Sequence, residues 1–71
     1  MRPLQVAKTN IEGVAIISTI QLPAEQSIYN PFETMIFSDD ESKEEYQVRT
    51  ATREEALLAH IDAIAFVIKG E

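Results

Sequence analysis

Apolar and polar positions follow two different periods along this chain, and the change of period separates a sheet-forming part from a helix. Residues 14–22 (VAIISTIQL) carry Val14, Ile16, Ile17, Thr19 and Ile20, β-branched side chains that suit a half-buried pleated surface. Alternation puts Val14, Ile16, Ser18, Ile20 and Leu22 on one face and Ala15, Ile17, Thr19 and Gln21 on the other. Gly13 precedes this central strand and Pro23 ends it. Residues 32–37 (FETMIF) and 46–51 (YQVRTA) read as two further strands, joined across residues 38–45 as an antiparallel hairpin. Residues 1–12 have a weaker pattern. Leu4 and Val6 alternating with Gln5 and Ala7 permit a short edge strand.

The hairpin admits two registers. Pairing Glu33 with Arg49 places Phe32, Thr34, Ile36, Tyr46 and Val48 on one face, whereas a one-residue slip groups Met35 and Phe37 with Tyr46 and Val48. Between the central strand and the hairpin, residues 23–31 form a loop bracketed by Pro23 and Pro31. Ile28 and Tyr29 are its apolar outliers. They either pin the loop to the core or belong to a contact surface.

The period changes after residue 51. Thr52-Arg53-Glu54-Glu55 matches a capping box, in which a Thr hydroxyl accepts from the N–H three residues on and the Glu carboxylate reaches back. Residues 53–69 contain no Gly or Pro, and Gly70 stands where a helix commonly stops. At 100° per residue, Leu57, His60, Ile61, Ile64, Val67 and Ile68 share one broad face, with Leu58 and Ala65 at its edge. Glu55, Asp62 and Lys69 mark the opposite side, and Phe66 falls among them. The expected fold is α+β: a three- to four-stranded antiparallel sheet with one C-terminal helix packed on one face.

Composition narrows the function classes. Seventy-one residues make one domain, 1–71, with its core in about 13–70. A core this small leaves little surplus stability, and such domains are usually supplemented by disulfides, a metal or a partner subunit. There is no cysteine, and His60 is the single histidine, so neither a disulfide nor a structural zinc site is expected. Good packing or self-association remains, and self-association, as a dimer, is the expectation. Phe66, stranded opposite the main apolar stripe beside Asp62, is the helix residue expected to join such a contact, with Ile28 and Tyr29 as loop candidates. Twelve acids against six bases give a net charge of −6, which repels phosphates and anionic lipid, so neither nucleic acid nor a membrane is an expected partner. The longest apolar run, Val14 to Ile17, is far below the ~20 residues of a membrane helix. The first residues lack the apolar stretch of a secretory signal, and a cytoplasmic location follows as the simplest expectation.

Candidate chemistry is sparse. His60 has the one side chain that titrates near neutrality when unperturbed. A general base needs a polar partner within hydrogen-bond reach, and the helix positions three and four away are Ala56, Leu57, Ala63 and Ile64. A histidine at the helix–sheet interface, bonded to a strand carbonyl or hydroxyl, is the favoured reading over catalysis. Glu33 and Arg49, with Thr34 and His60, form a candidate polar cluster in which charges satisfy each other. The acidic run of residues 39–45 lacks the alternating ligands and glycine of a calcium loop and reads as a solvated turn. The two glycines, Gly13 and Gly70, are far apart, so no phosphate loop exists and no cofactor is expected.

Several segments together resemble a group of small bacteriophage-encoded proteins. These are Ser18-Thr19-Ile20, then Phe32-Glu33-Thr34-Met35-Ile36-Phe37, then Arg49-Thr50-Ala51-Thr52, Glu55-Ala56 and Ala59-His60. The likeness runs from about Gly13 to the C-terminus. The chain departs from the pattern at Thr50, where the group tends to have Tyr, and at Ala59, where it tends to have Gly. It also lacks a histidine soon after the Ser-Thr strand, which removes any role built on a histidine pair. The resemblance implies a phage or prophage origin and no particular activity.

The expectation from sequence is therefore a non-enzymatic accessory protein that binds itself or a host protein, with modulation of a host process or defence as its purpose. A virion structural or assembly component is the alternative, and a small hydrolase using His60 with Glu33 is the third.

Overall fold

The computed structural model describes residues 3–26, 28–38 and 44–70. Four strands, β1 (Leu4–Ile11), β2 (Ala15–Gln21), β3 (Phe32–Ser38) and β4 (Glu44–Thr50), precede one helix, α1 (Arg53–Gly70). The strands form a four-stranded antiparallel meander in the order β1-β2-β3-β4, and α1 lies across one face, touching all four. This is the α+β architecture expected from the two periods. β1 is a full eight-residue edge strand, longer than its weak alternation indicated.

Each connection has a local cause. Val14 N–H donates to the Ile11 carbonyl (2.9 Å), closing the β1–β2 turn, and Gly13 holds a φ of 76° there. That conformation costs a side-chain-bearing residue about 1–2 kcal/mol, which accounts for glycine at this place. β1 changes register between Gln5 and Ala7. The Gln5 side-chain amide donates to the carbonyls of Ala7 (2.8 Å) and Thr19 (3.0 Å), bridging the irregularity. Leu22 N–H donates to the Pro31 carbonyl (2.7 Å), so residues 22–31 leave the sheet and return at one point. Ser38, Glu44 and Glu45 extend the hairpin strands into the acidic run, whose residues 39–43 lie outside the described residues.

Of the two hairpin registers, the structure adopts the one pairing Glu33 with Arg49, Thr34 with Val48 and Ile36 with Tyr46. Under the helix lie Ala15, Ile17 and Thr19 of β2 and Phe32, Thr34 and Ile36 of β3, all buried. Ile17, Ile36, Ala15 and Ala63 form the centre of the core, with Ile11, Val14, Tyr46, Ile64 and Val67 packed around them.

The helix begins as its sequence dictates. Glu55 N–H donates to Thr52 Oγ1 (3.1 Å), and Thr52 N–H and hydroxyl donate to Glu55 Oε1 (both 3.2 Å). Gly70 is the last helical residue rather than the first one beyond the end.

The rotation of α1 about its axis differs from expectation. Ala56, Ala59, His60 and Ala63 are buried against the sheet, with Ile64 and Val67 half-buried, while Leu57, Leu58, Ile61 and Ile68 face outward. Periodicity weighs side chains by hydrophobicity, whereas docking is limited by distance. Alanines let the helix backbone approach the sheet closely, and His60 can then reach the strands. A Leu and two Ile in their place would hold the layers apart.

Candidate functional site

Position 60 is about two turns past the helix start, and the alanine stripe beside it brings its imidazole down between β1 and β2. His60 Nε2 lies 2.9 Å from Thr9 Oγ1 and Nδ1 lies 2.8 Å from Thr19 Oγ1. Thr19 Oγ1 is in turn 2.8 Å from Thr34 Oγ1. The four side chains make one continuous hydrogen-bonded line from the β1 edge to the middle of the sheet, with His60, Thr19 and Thr34 buried.

A hydroxyl both donates and accepts, so this line satisfies either neutral tautomer. With the proton on Nε2, Thr9 accepts, Nδ1 accepts from Thr19, and Thr19 accepts from Thr34. With the proton on Nδ1, every direction reverses. The cation is also hydrogen-bonded, since Thr9 and Thr19 can both accept and Thr19 then donates to Thr34. What opposes the cation is loss of water: burial pushes the His60 pKa below its ordinary value, so the imidazole is neutral at pH 7.

Glu33 and Arg49 lie on the other face of the sheet. Arg49 Nε donates to Glu33 Oε2 at 3.0 Å, and Gln47 Nε2 donates to the same oxygen. The carboxylate side chain is 9% exposed and its Arg49 partner 43%, so the pair is anchored in the sheet and open at one end. The candidate cluster is thus two clusters. Thr34 and His60 belong to the helix side, Glu33 and Arg49 to the open side, because adjacent residues of β3 point to opposite faces. A His60–Glu33 pair of the kind a hydrolase would use is not formed. Sequence could place Glu33 and Thr34 back to back; it could not show that Thr9, on a weakly patterned strand, completes the histidine line.

The contact candidates are all exposed. Ile28 and Tyr29 are 79% and 84% accessible and do not pin residues 22–31 to the core. With Ala24, Glu25 and Gln26 they line a shallow, open depression. Asp62 is exposed on the helix. Phe66 is half-exposed, its ring 5.3 Å from that of Tyr46 on β4 and inclined at 48°. Leu57, Leu58, Ile61 and Ile68, assigned to the core by periodicity, join them at the surface.

Among the described residues, no group of three His, Asp or Glu side chains is placed to hold a metal ion, and no helix is long and apolar enough to cross a membrane. Neither a family model nor a curated protein matches this chain, and no solved structure matches it.

Proposed function

We propose that this chain is a small accessory protein of a phage or prophage that acts by binding other proteins in the bacterial cytoplasm rather than by catalysis. The observation that carries the binding reading is the amount of large apolar side chain left in solvent. Leu4, Ile28, Tyr29, Leu57, Leu58, Ile61, Phe66 and Ile68 are all exposed on a 71-residue protein. Isolated exposed apolar residues are ordinary, but contiguous ones on so small a surface mark contact sites. The polar groups suited to chemistry are otherwise engaged: His60 bonds to two threonine hydroxyls, and Glu33 to Gln47 and Arg49. The phage origin rests on the order of the Ser18-Thr19, Phe32-Glu33-Thr34-Met35 and Thr52…His60 segments. A host protein would be met through the loop pair Ile28 and Tyr29 and through the Asp62–Phe66 side of the helix.

Photo-cross-linking in bacterial cells tests this. A cross-linking residue at position 29 should yield a discrete adduct with one host protein, lost when Ile28 is changed to Ser. A purified protein that hydrolyses model esters or phosphoesters, and whose folded His60→Gln variant does not, would overturn the binding reading in favour of an enzyme.

A further inference from the structure

We infer that Thr9 is an acyl-acceptor site, its hydroxyl made nucleophilic by His60 so that it takes one acyl group from an activated ester. The inference goes beyond the binding reading and leaves it standing, because a chain acylated once is a modified binding protein and not an enzyme that turns over. Thr9 Oγ1 lies 2.9 Å from His60 Nε2, within the reach a general base needs. The imidazole is held from its other side, since Nδ1 is 2.8 Å from Thr19 Oγ1 and Thr19 Oγ1 is 2.8 Å from Thr34 Oγ1. Nucleophile, base and orienting group are the three parts of an activated hydroxyl. With the proton on Nδ1, His60 donates to Thr19, Thr19 donates to Thr34, and Nε2 accepts from Thr9. Thr9 is the member of this line on an edge strand, and it is half-buried where His60, Thr19 and Thr34 are buried.

The free edge supplies the other requirement. The Ile11 carbonyl accepts from Val14 N–H, and the Ala7 and Thr19 carbonyls share the Gln5 side-chain amide, so the main-chain groups of Ala7 and Ile11 turn toward β2. Strand alternation then turns those of Lys8 and Asn10 away from β2. The outward N–H of Asn10, next to Thr9 in the chain, is a donor for an oxyanion formed there. A neutral acyl donor suits the site, because a chain of charge −6 repels phosphoryl donors. Leu57 and Ile64, three residues before and four after His60, flank it on the helix with apolar surface. In the step itself, Thr9 Oγ1 bonds to the ester carbonyl carbon while its proton passes to His60 Nε2. The adduct expels the ester's alcohol or phenol, which carries that proton away, and Thr9 is left as the new ester beside a neutral His60. His60 is 6% exposed, and an acyl group on Thr9 stands between it and solvent, so water is kept from the product.

p-Nitrophenyl acetate is the probe. The wild type should release p-nitrophenol in a single burst and gain an acetyl group that tandem mass spectrometry places on Thr9. Alkaline hydroxylamine should remove it, because it cleaves an ester and spares the amide that adventitious acetylation of Lys8 would leave. His60→Gln should slow the burst roughly 100-fold. Thr9→Val should abolish it and Thr9→Ser retain it, with circular dichroism confirming each fold. If a variant did not fold, the wild-type pH profile decides. The rate should be level above about pH 6.5 and fall below it as His60 takes up a proton. The groups bonded to His60 from β1 and β2 are the hydroxyls of Thr9 and Thr19, with Thr34 of β3 behind them, and none of these titrates in that range. No acetylation, acetylation of lysine alone, or a burst unchanged in a folded His60→Gln overturns the inference. Continuous release of p-nitrophenol, lost in Thr9→Val, overturns it together with the binding reading. A chain that takes no acetyl group would leave the position-29 cross-link to the host protein unaffected, so the two failures are distinguishable.

Discussion

Tyr46 and Phe66 meet at the β4 side of the helix with their rings inclined at 48° and their centroids 5.3 Å apart, and this contact helps set which way α1 is turned. With Phe66 held over β4 and His60 reaching the β1–β2 side, the alanines between them face the sheet and Ile61 faces water.

Removing the aromatic contact should therefore cost stability. Phe66→Ser is expected to destabilise by about 1–2 kcal/mol, combining the ring–ring contribution with lost apolar burial. A denaturation curve of the variant against the wild type checks this.

The histidine line predicts a definite pH response. Burial lowers the folded-state pKa of His60, so below about 6.5 the unfolded chain takes up a proton more readily than the folded one. The stability due to neutral His60 is complete above that value and is lost as pH falls toward the depressed folded pKa. Its neighbours are threonine hydroxyls and alanines rather than carboxylates, so none of these would reverse the sign. Urea midpoints measured from pH 7.5 downward should fall in this window for the wild type. In His60→Gln, whose amide can still bridge two hydroxyls, the part of that fall due to His60 should vanish.

The sheet, the hairpin and the helix start were legible because each is written in local chemistry: β-branched alternation, an acidic turn, a capping box. The helix rotation was not. Residues 56–68 are apolar nearly all the way round, so periodicity alone could not distinguish a small-residue docking face from a large-residue one. Close approach decided it, and that depends on Thr9, Thr19 and Thr34 being there to receive His60. Ile28 and Tyr29 were ambiguous for a related reason: an apolar pair in a loop reads the same whether covered or bare.

The capping box is open to direct measurement. Thr52→Ala removes the acceptor for the Glu55 N–H and should lower stability by about 0.5–2 kcal/mol. Thr52→Ser, which keeps the hydroxyl, should recover most of that loss in the same denaturation assay.

On the open face, the Glu33–Arg49 pair should behave as a coupled unit. Arg49→Met leaves a nearly buried carboxylate with Gln47 as its remaining donor among the described contacts, and about 1–3 kcal/mol of destabilisation is expected. Glu33→Met made together with Arg49→Met should be milder than the sum of the single changes. A double-mutant cycle in urea, read for non-additivity, checks this.

Cross-linking from position 29 in bacterial cells tests the binding reading most directly, because Ile28 and Tyr29 are the most exposed large apolar side chains among the described residues. A discrete adduct with one host protein, lost in Ile28→Ser, is the predicted result. The absence of any adduct from position 29 and from positions 62 and 66 would contradict it.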